Sequence, residues 1–181
     1  VINVGDNYNI PRSTFDQTVQ FIIADLDEAV SDEKLESQHD KTRATEGAVM
    51  ALKSRVLIHA ASDLYNNNGT WASGYPHPEL IAYTGGDRNA RYQAAKDAAR
   101  AVIDMNLYSL YDEYSDKTEN FQQLFLEMSS SEQIFIYQID KVQTYYYGTD
   151  WIAWVYGTPG YGGWGLNQVT GNLADAFENS D

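Results

Sequence analysis

Phe15, Val19, Ile22, Ile23, Leu26, Ala29 and Val30 recur mostly at steps of three and four, the spacing that gathers side chains on one face of an α-helix. The stripe predicts a helix from about 14 to 30. Ser13 or Thr14 is placed to cap it, with Asp16 or Gln17 three residues on, the reciprocal pattern of a capping box. Pro11 stands ahead of the first turn, where its missing N–H does no harm. Asp25, Asp27 and Glu28 fall off the stripe and are expected in water. Residues 31–42 are polar and mixed in charge, which reads as a linker between helices.

Residues 43–66 read as one long helix, with Thr45 as N-cap or early-turn residue. Small residues fall at Gly47, Ala51, Ser54 and Ala61, and a stripe of small side chains lets a second helix come close. Val49, Leu52, Val56 and Ala60 lie on an adjacent face, so the helix is apolar on most sides. Such a helix is expected to be buried between neighbours. Asn66-Asn67-Asn68-Gly69 ends it.

A long loop with Pro76, Pro78 and Gly85-Gly86 follows, and it carries Trp71, Tyr75 and Tyr83. A third helix is predicted over about 89–105, burying Tyr92, Ala95, Ala98, Ala99, Val102 and Ile103, with Asn106 at its end. A fourth, short helix over about 120–128 would turn Phe121, Leu124, Phe125 and Met128 inward. Residues 133–140 are rich in β-branched and aromatic side chains and read as a strand. The pattern is a mainly α chain of two consecutive helix pairs, the physics of helix-hairpin repeats such as tetratricopeptide units, although helix starts near 14, 45, 90 and 119 keep no strict ~34-residue period.

The wording of these segments adds a resemblance. Arg43-x-Thr45-x-Gly47-Ala48, Leu52-Lys53-x-Arg55-Val56 and Ala60-Ala61-Ser62-x-Leu64-Tyr65-Asn66 resemble the SusD/RagB family of glycan-binding lipoproteins on the outer surface of Bacteroidetes cells. In the same order come Ile10-Pro11-Arg12-Ser13-Thr14, Ile23-Ala24-Asp25-Leu26-Asp27-Glu28-Ala29, Tyr92-x-x-Ala95-Lys96, Tyr108-x-Leu110-Tyr111, Glu132-Gln133-Ile134-Phe135, Gly162-Gly163-Trp164-Gly165 and Asn172-Leu173-Ala174-Asp175-Ala176-Phe177-Glu178. The resemblance implies an internal fragment of a longer polypeptide, with residues 1–181 inside one domain. Residues 12–130 would be tetratricopeptide-like helix pairs in an α/α superhelix, and 131–181 a strand and an aromatic, glycine-rich segment. It further implies an oligosaccharide or polysaccharide ligand and delivery to a SusC-like TonB-dependent transporter. A lipid anchor upstream of this chain would hold the protein at the extracellular face of the outer membrane.

Composition narrows the chemistry. The formal charge is −14, with Lys and Arg totalling 12, which argues against nucleic acid as a partner because phosphate contacts need clustered cations. There is no cysteine, so the chain supplies no disulfide or thiol nucleophile. No apolar run approaches the ~18 residues of a membrane span. No cofactor or metal site is expected: His39, His59 and His77 are scattered, and no His-Glu-x-x-His pattern, Gly-x-Ser-x-Gly elbow or phosphate loop occurs. His59 is expected as a hydrogen-bonded core residue, and Asp63 as a cap or a partner of Arg55.

Residues 145–164 differ from the rest. They hold five tyrosines and three of the chain's four tryptophans, and Asp150 is the only charged residue between Val142 and Ala174. A pyranose has an apolar C–H face and a rim of hydroxyls, so flat rings and a few amides or carboxylates suit it. The candidate glycan-binding residues are Trp151, Trp154, Tyr156, Tyr147 and Tyr161, with Asp150 and Asn167 for hydroxyls, while Trp164 reads as structural. Trp71 and Tyr75 form a possible second contact; a loop anchored by aromatics, or a contact to another protein, is the competing reading there. No catalytic residue is assigned. A helical scaffold that docks the transporter without touching glycan is the alternative, and a glycoside hydrolase, which needs two suitably spaced carboxyl groups, the remote one.

Overall fold

The computed structural model describes residues 5, 9–31, 35, 40–66, 74–127, 129–137, 155, 157, 159–160, 163–166 and 170–177. The chain divides into two compact units, residues 1–136 and 137–181. The first is helical: α1 (Phe15–Ser31), α2 (Glu46–Ala61), the single turn α3 (Asp63–Asn66), a 3-10 turn at Pro78–Leu80, α4 (Arg88–Asp104) and α5 (Lys117–Leu126).

Helix α1 starts at the capping box: Gln17 N–H donates to Thr14 Oγ1 at 3.1 Å, and Thr14 N–H donates to Gln17 Oε1 at 2.9 Å. Every member of its apolar stripe is buried or half-buried. Ahead of α2, the Asp40 carboxylate accepts from the hydroxyl and the N–H of Thr42. Those two bonds, with the Arg43 guanidinium beside them, hold its pKa below the usual carboxylate value. Thr45, fully buried, caps α2 by accepting from Ala48 N–H.

Helix α2 is the centre of the unit. It runs antiparallel to α1: Phe15, at the start of α1, stacks on Tyr65 beyond the end of α2, while Asp27, near the end of α1, pairs with Lys53 in the first half of α2. It is antiparallel to α4 as well, because Arg88 at the start of α4 donates to Ala61 O at the last turn of α2. The core joins Val19, Ala60 and Tyr83, with Phe15, Ile23, Val56 and Tyr65 against it.

Gly47 is needed where it stands. Tyr108, after α4, crosses the first turn of α2, and a Cβ on residue 47 would fall onto the edge of the Tyr108 ring. Asn106, which ends α4 as expected, takes a positive φ of 53°, a conformation that asparagine tolerates better than most residues.

Several expectations are corrected. The long helix breaks at Ser62, whose N–H closes on His59 O. Helix α2 is not covered all round: Leu52 is 49% exposed, and Ile58 and His59 also face outward, because among the described residues only α1 and α4 flank it. His59 is therefore not a core histidine. Helices α4 and α5 form no second packed pair; Phe121 is 66% and Phe125 71% exposed, meeting each other edge to face instead of turning inward. Tyr92 and Ile103 are likewise exposed, so the buried face of α4 is its alanines and Val102.

The expected strand is also absent from residues 133–137, which are irregular; residues 138–140 lie outside the described set. A strand needs a partner ladder, and among the described residues this stretch donates a single main-chain bond across the fold, Ile136 N–H to Lys41 O at 2.9 Å.

Replacing Gly47 with Ala is expected to cost about 1–3 kcal/mol, the usual penalty of overpacking. Chemical denaturation measures it, and the penalty should shrink in a Tyr108→Ala background.

Candidate functional site

The seven residues expected to contact glycan, Trp151, Trp154, Tyr156, Tyr147, Tyr161, Asp150 and Asn167, lie outside the described residues, as does Trp71. What is described of the second unit is part of a turn within the same stretch, at residues 155, 157, 159–160 and 163–166, and residues 170–177. Gly165 N–H donates to Gly157 O and Leu166 N–H to Val155 O, both at 3.0 Å, so Val155 and Gly157 lie beside Leu166 and Gly165. Gly160 and Gly165 take positive φ values of 99° and 59°. A Cβ at Gly163 would collide with the Gly157 backbone, and backbone has no rotamer with which to move aside. Trp164 is 54% exposed. The unit closes with one helical turn, Gly171–Ala174, capped by the Thr170 hydroxyl.

In the first unit, the loop after α3 is an anchored structure. Tyr75 is exposed at its start, but Ala82 and Tyr83 are buried. Tyr83 N–H donates to Tyr65 O at 2.9 Å, and its ring meets Phe15 edge-on. The Arg91 guanidinium lies 3.6 Å from the centroid of the Tyr83 ring, a cation–π contact, and donates to Asn66 Oδ1 and Gly85 O. Asn66 in turn donates to Ala60 O and Ser62 O, carbonyls left over at the break after α2. Asp63 does not pair with Arg55; it pairs with Arg88, which also stacks over and donates to Tyr92. Burial, then the nearby Asp16 carboxylate, raises the Tyr83 pKa. This is the geometry of a loop anchored by aromatics, the reading that competes with a glycan contact at Tyr75.

A second polar network surrounds Tyr111, a buried residue not singled out as a site residue by the sequence reading. Its hydroxyl donates to Glu127 Oε1 and its N–H to Glu132 Oε2. Its carbonyl accepts from the buried Asn120 side chain, whose Oδ1 accepts from Tyr114 N–H. Asn120 sits in the first turn of α5, started by Asp116, whose carboxylate accepts from Thr118 and Glu119 N–H. The Ser-Asp-Lys-Thr-Glu run at 115–119 is the local signal for that start; the contacts to Tyr111 carry none, since they join residues 9 to 21 positions apart.

Among the described residues, no group of three histidine, cysteine, aspartate or glutamate side chains could hold a metal ion, and no helix is long and apolar enough to cross a membrane. No protein-family model matches the chain, and no curated protein matches it.

Burial, and next the Glu127 carboxylate, push the Tyr111 phenol well above its usual pKa. A group whose pKa is higher folded than unfolded contributes stability that is full below the unfolded value, about 10 for tyrosine, and is lost as pH rises past it. Denaturation at pH 8 and pH 11 should therefore show a loss of stability at the higher pH, and Tyr111→Phe should make that loss smaller.

Proposed function

We propose that this chain is part of a SusD-like surface protein that captures oligosaccharide or polysaccharide and passes it to a TonB-dependent transporter. One observation carries the reading. The residues whose wording and order resemble the family are residues the fold uses. Thr45 caps α2 and Gly47 admits Tyr108. Tyr111 and Glu132 bond each other, and Gly163 packs on the Gly157 backbone. Such positions are ones a shared helical scaffold would need whatever its ligand.

Capture on this reading breaks no bond. Rings of the 145–164 segment cover the apolar faces of sugar units, and Asp150 and Asn167 meet hydroxyls. Each contact is weak, and several along one chain add up through effective concentration. The near-absence of charge in the segment suits a neutral ligand, since no buried ion is left unpaired when the sugar docks.

The alternative, a helical scaffold that docks the transporter without touching glycan, is favoured by one feature. Leu52 and Ile58 on α2, and Phe121 and Phe125 on α5, expose apolar surface of the kind that marks protein contacts.

Affinity electrophoresis against a polysaccharide panel separates the two: retardation by one glycan class supports capture, and no retardation with retained transporter pull-down supports docking alone. If capture holds, the folded Trp151→Ala, Trp154→Ala double variant should bind about tenfold or more weakly, as expected on losing central aromatic contacts. Unchanged affinity would remove these rings from the site.

A further inference from the structure

A cleft of about 660 Å³ opens between Lys41, Tyr111, Glu113, Tyr114, Glu127 and the serine loop 129–131. That volume is ordinary for small-molecule sites. Its walls are set by bonds made elsewhere. Lys41 Nζ donates to Ser130 O, Ser130 N–H donates to Gln133 Oε1, and Ser109 N–H donates to Ser131 O. Tyr111 is held through its N–H, its carbonyl and its hydroxyl. A loop fixed at so many points has little ordering entropy left to lose when a ligand arrives.

One group in this wall is unmet. Ser130 is 5% exposed, and its Oγ has no hydrogen-bond partner among the described residues. A buried hydroxyl without a partner is costly, and a serine reaches other positions by a turn between staggered χ1 wells.

The chemistry of the cleft selects among ligands. A phosphate or carboxylate would meet two glutamates against one lysine. A divalent cation would meet the Lys41 ammonium, and no metal-holding cluster exists among the described residues. Hydroxyls both donate and accept, and the cleft offers a donor in Lys41, acceptors in Glu113 and Glu127, and groups that do both in its serines and tyrosines. The half-buried Tyr114 ring, 6.4 Å from the buried Tyr111 ring and inclined to it by 40°, adds a small apolar surface for C–H groups.

We propose that this cleft binds a small neutral polyhydroxylated ligand, a sugar ring or a polyol, with Ser130 Oγ turning to bond one of its hydroxyls. It rests on the carbohydrate reading above only for the preference of sugar over polyol.

The test is a titration of the ¹⁵N-labelled chain with maltose, cellobiose and myo-inositol, with inorganic phosphate and butylamine as charged controls, followed by amide shifts. A neutral probe should move the amides of Tyr111 and residues 129–131 saturably. Ser130→Ala should melt at the same temperature or higher, since it removes an unmet hydroxyl, yet bind about three- to tenfold more weakly, the worth of one hydrogen bond. A merely structural serine would change neither amide shifts nor affinity. The proposal is overturned if only phosphate or butylamine moves these amides, if no probe moves them, or if Ser130→Ala binds as tightly as the parent. Saturable shifts confined to residues 145–164 also overturn it, and leave glycan capture standing. Cleft shifts with a silent polysaccharide panel support the cleft and sink the capture reading.

Discussion

Helix α2 has to be approached closely on two sides at once, and the rest of the first unit follows from that. At its start the missing side chain of Gly47 makes room for Tyr108. At its end Ala60 and Ala61 are buried, where Phe15, Tyr65 and Tyr83 gather around Val19. Larger residues at either end would push α1 or the segment after α4 outward. Interiors are packed too densely to absorb such a displacement without loss elsewhere. The small residues are thus the condition under which both neighbours can bury their own apolar stripes.

That close approach creates a polar problem, because α2 stops abruptly at Ser62 and its last carbonyls need partners. Two arginines from α4 and one asparagine solve it. Arg88 reaches Ala61 O, and Asn66 reaches Ala60 O and Ser62 O while Arg91 holds its other end. Arg91 also covers the buried Tyr83 ring. A guanidinium suits this place because it offers several donors in one plane together with a face for the ring. The loop that sequence length alone marks as irregular is consequently tied to α2 by side chains from α4.

What was legible in the sequence is what is local. The α1 stripe, its Thr14–Gln17 box, the Thr45 cap and the Asn106 stop depend on residues within four positions of one another, and each is found. What was missed depends on who the neighbours are. The apolar faces of α2 and α5 announce burial, but burial needs a partner; Leu52, Phe121 and Phe125 lack one among the described residues. Residues 133–137 have strand-forming side chains but only one cross-fold main-chain bond, so propensity lost to context. Asp63 was matched to an arginine on its own helix, whereas the fold brings Arg88 from 25 positions further along the chain. Of the candidate site, the sequence exposed an aromatic, nearly uncharged stretch by composition alone. It was silent on the Tyr111 cleft, whose members are scattered from Lys41 to Ser131.

Net charge bears on the kind of ligand proposed above. At −14 the chain repels anions and gains nothing at long range with a neutral molecule; charge effects fade within about 8 Å at physiological ionic strength. A neutral ligand must be retained by contacts alone, and contacts retain best where they are already in place. Two places are held in that way, one by backbone geometry and one by hydrogen bonds. Gly163 can sit on the Gly157 backbone only because it carries no side chain, which constrains a turn within the aromatic segment. The serine loop beside Tyr111 is held by Lys41, Gln133 and Ser109 before anything binds. Rigidity at these two places, in a chain whose net charge cannot steer a neutral molecule, is what the proposed binding of neutral, hydroxyl-rich molecules would require.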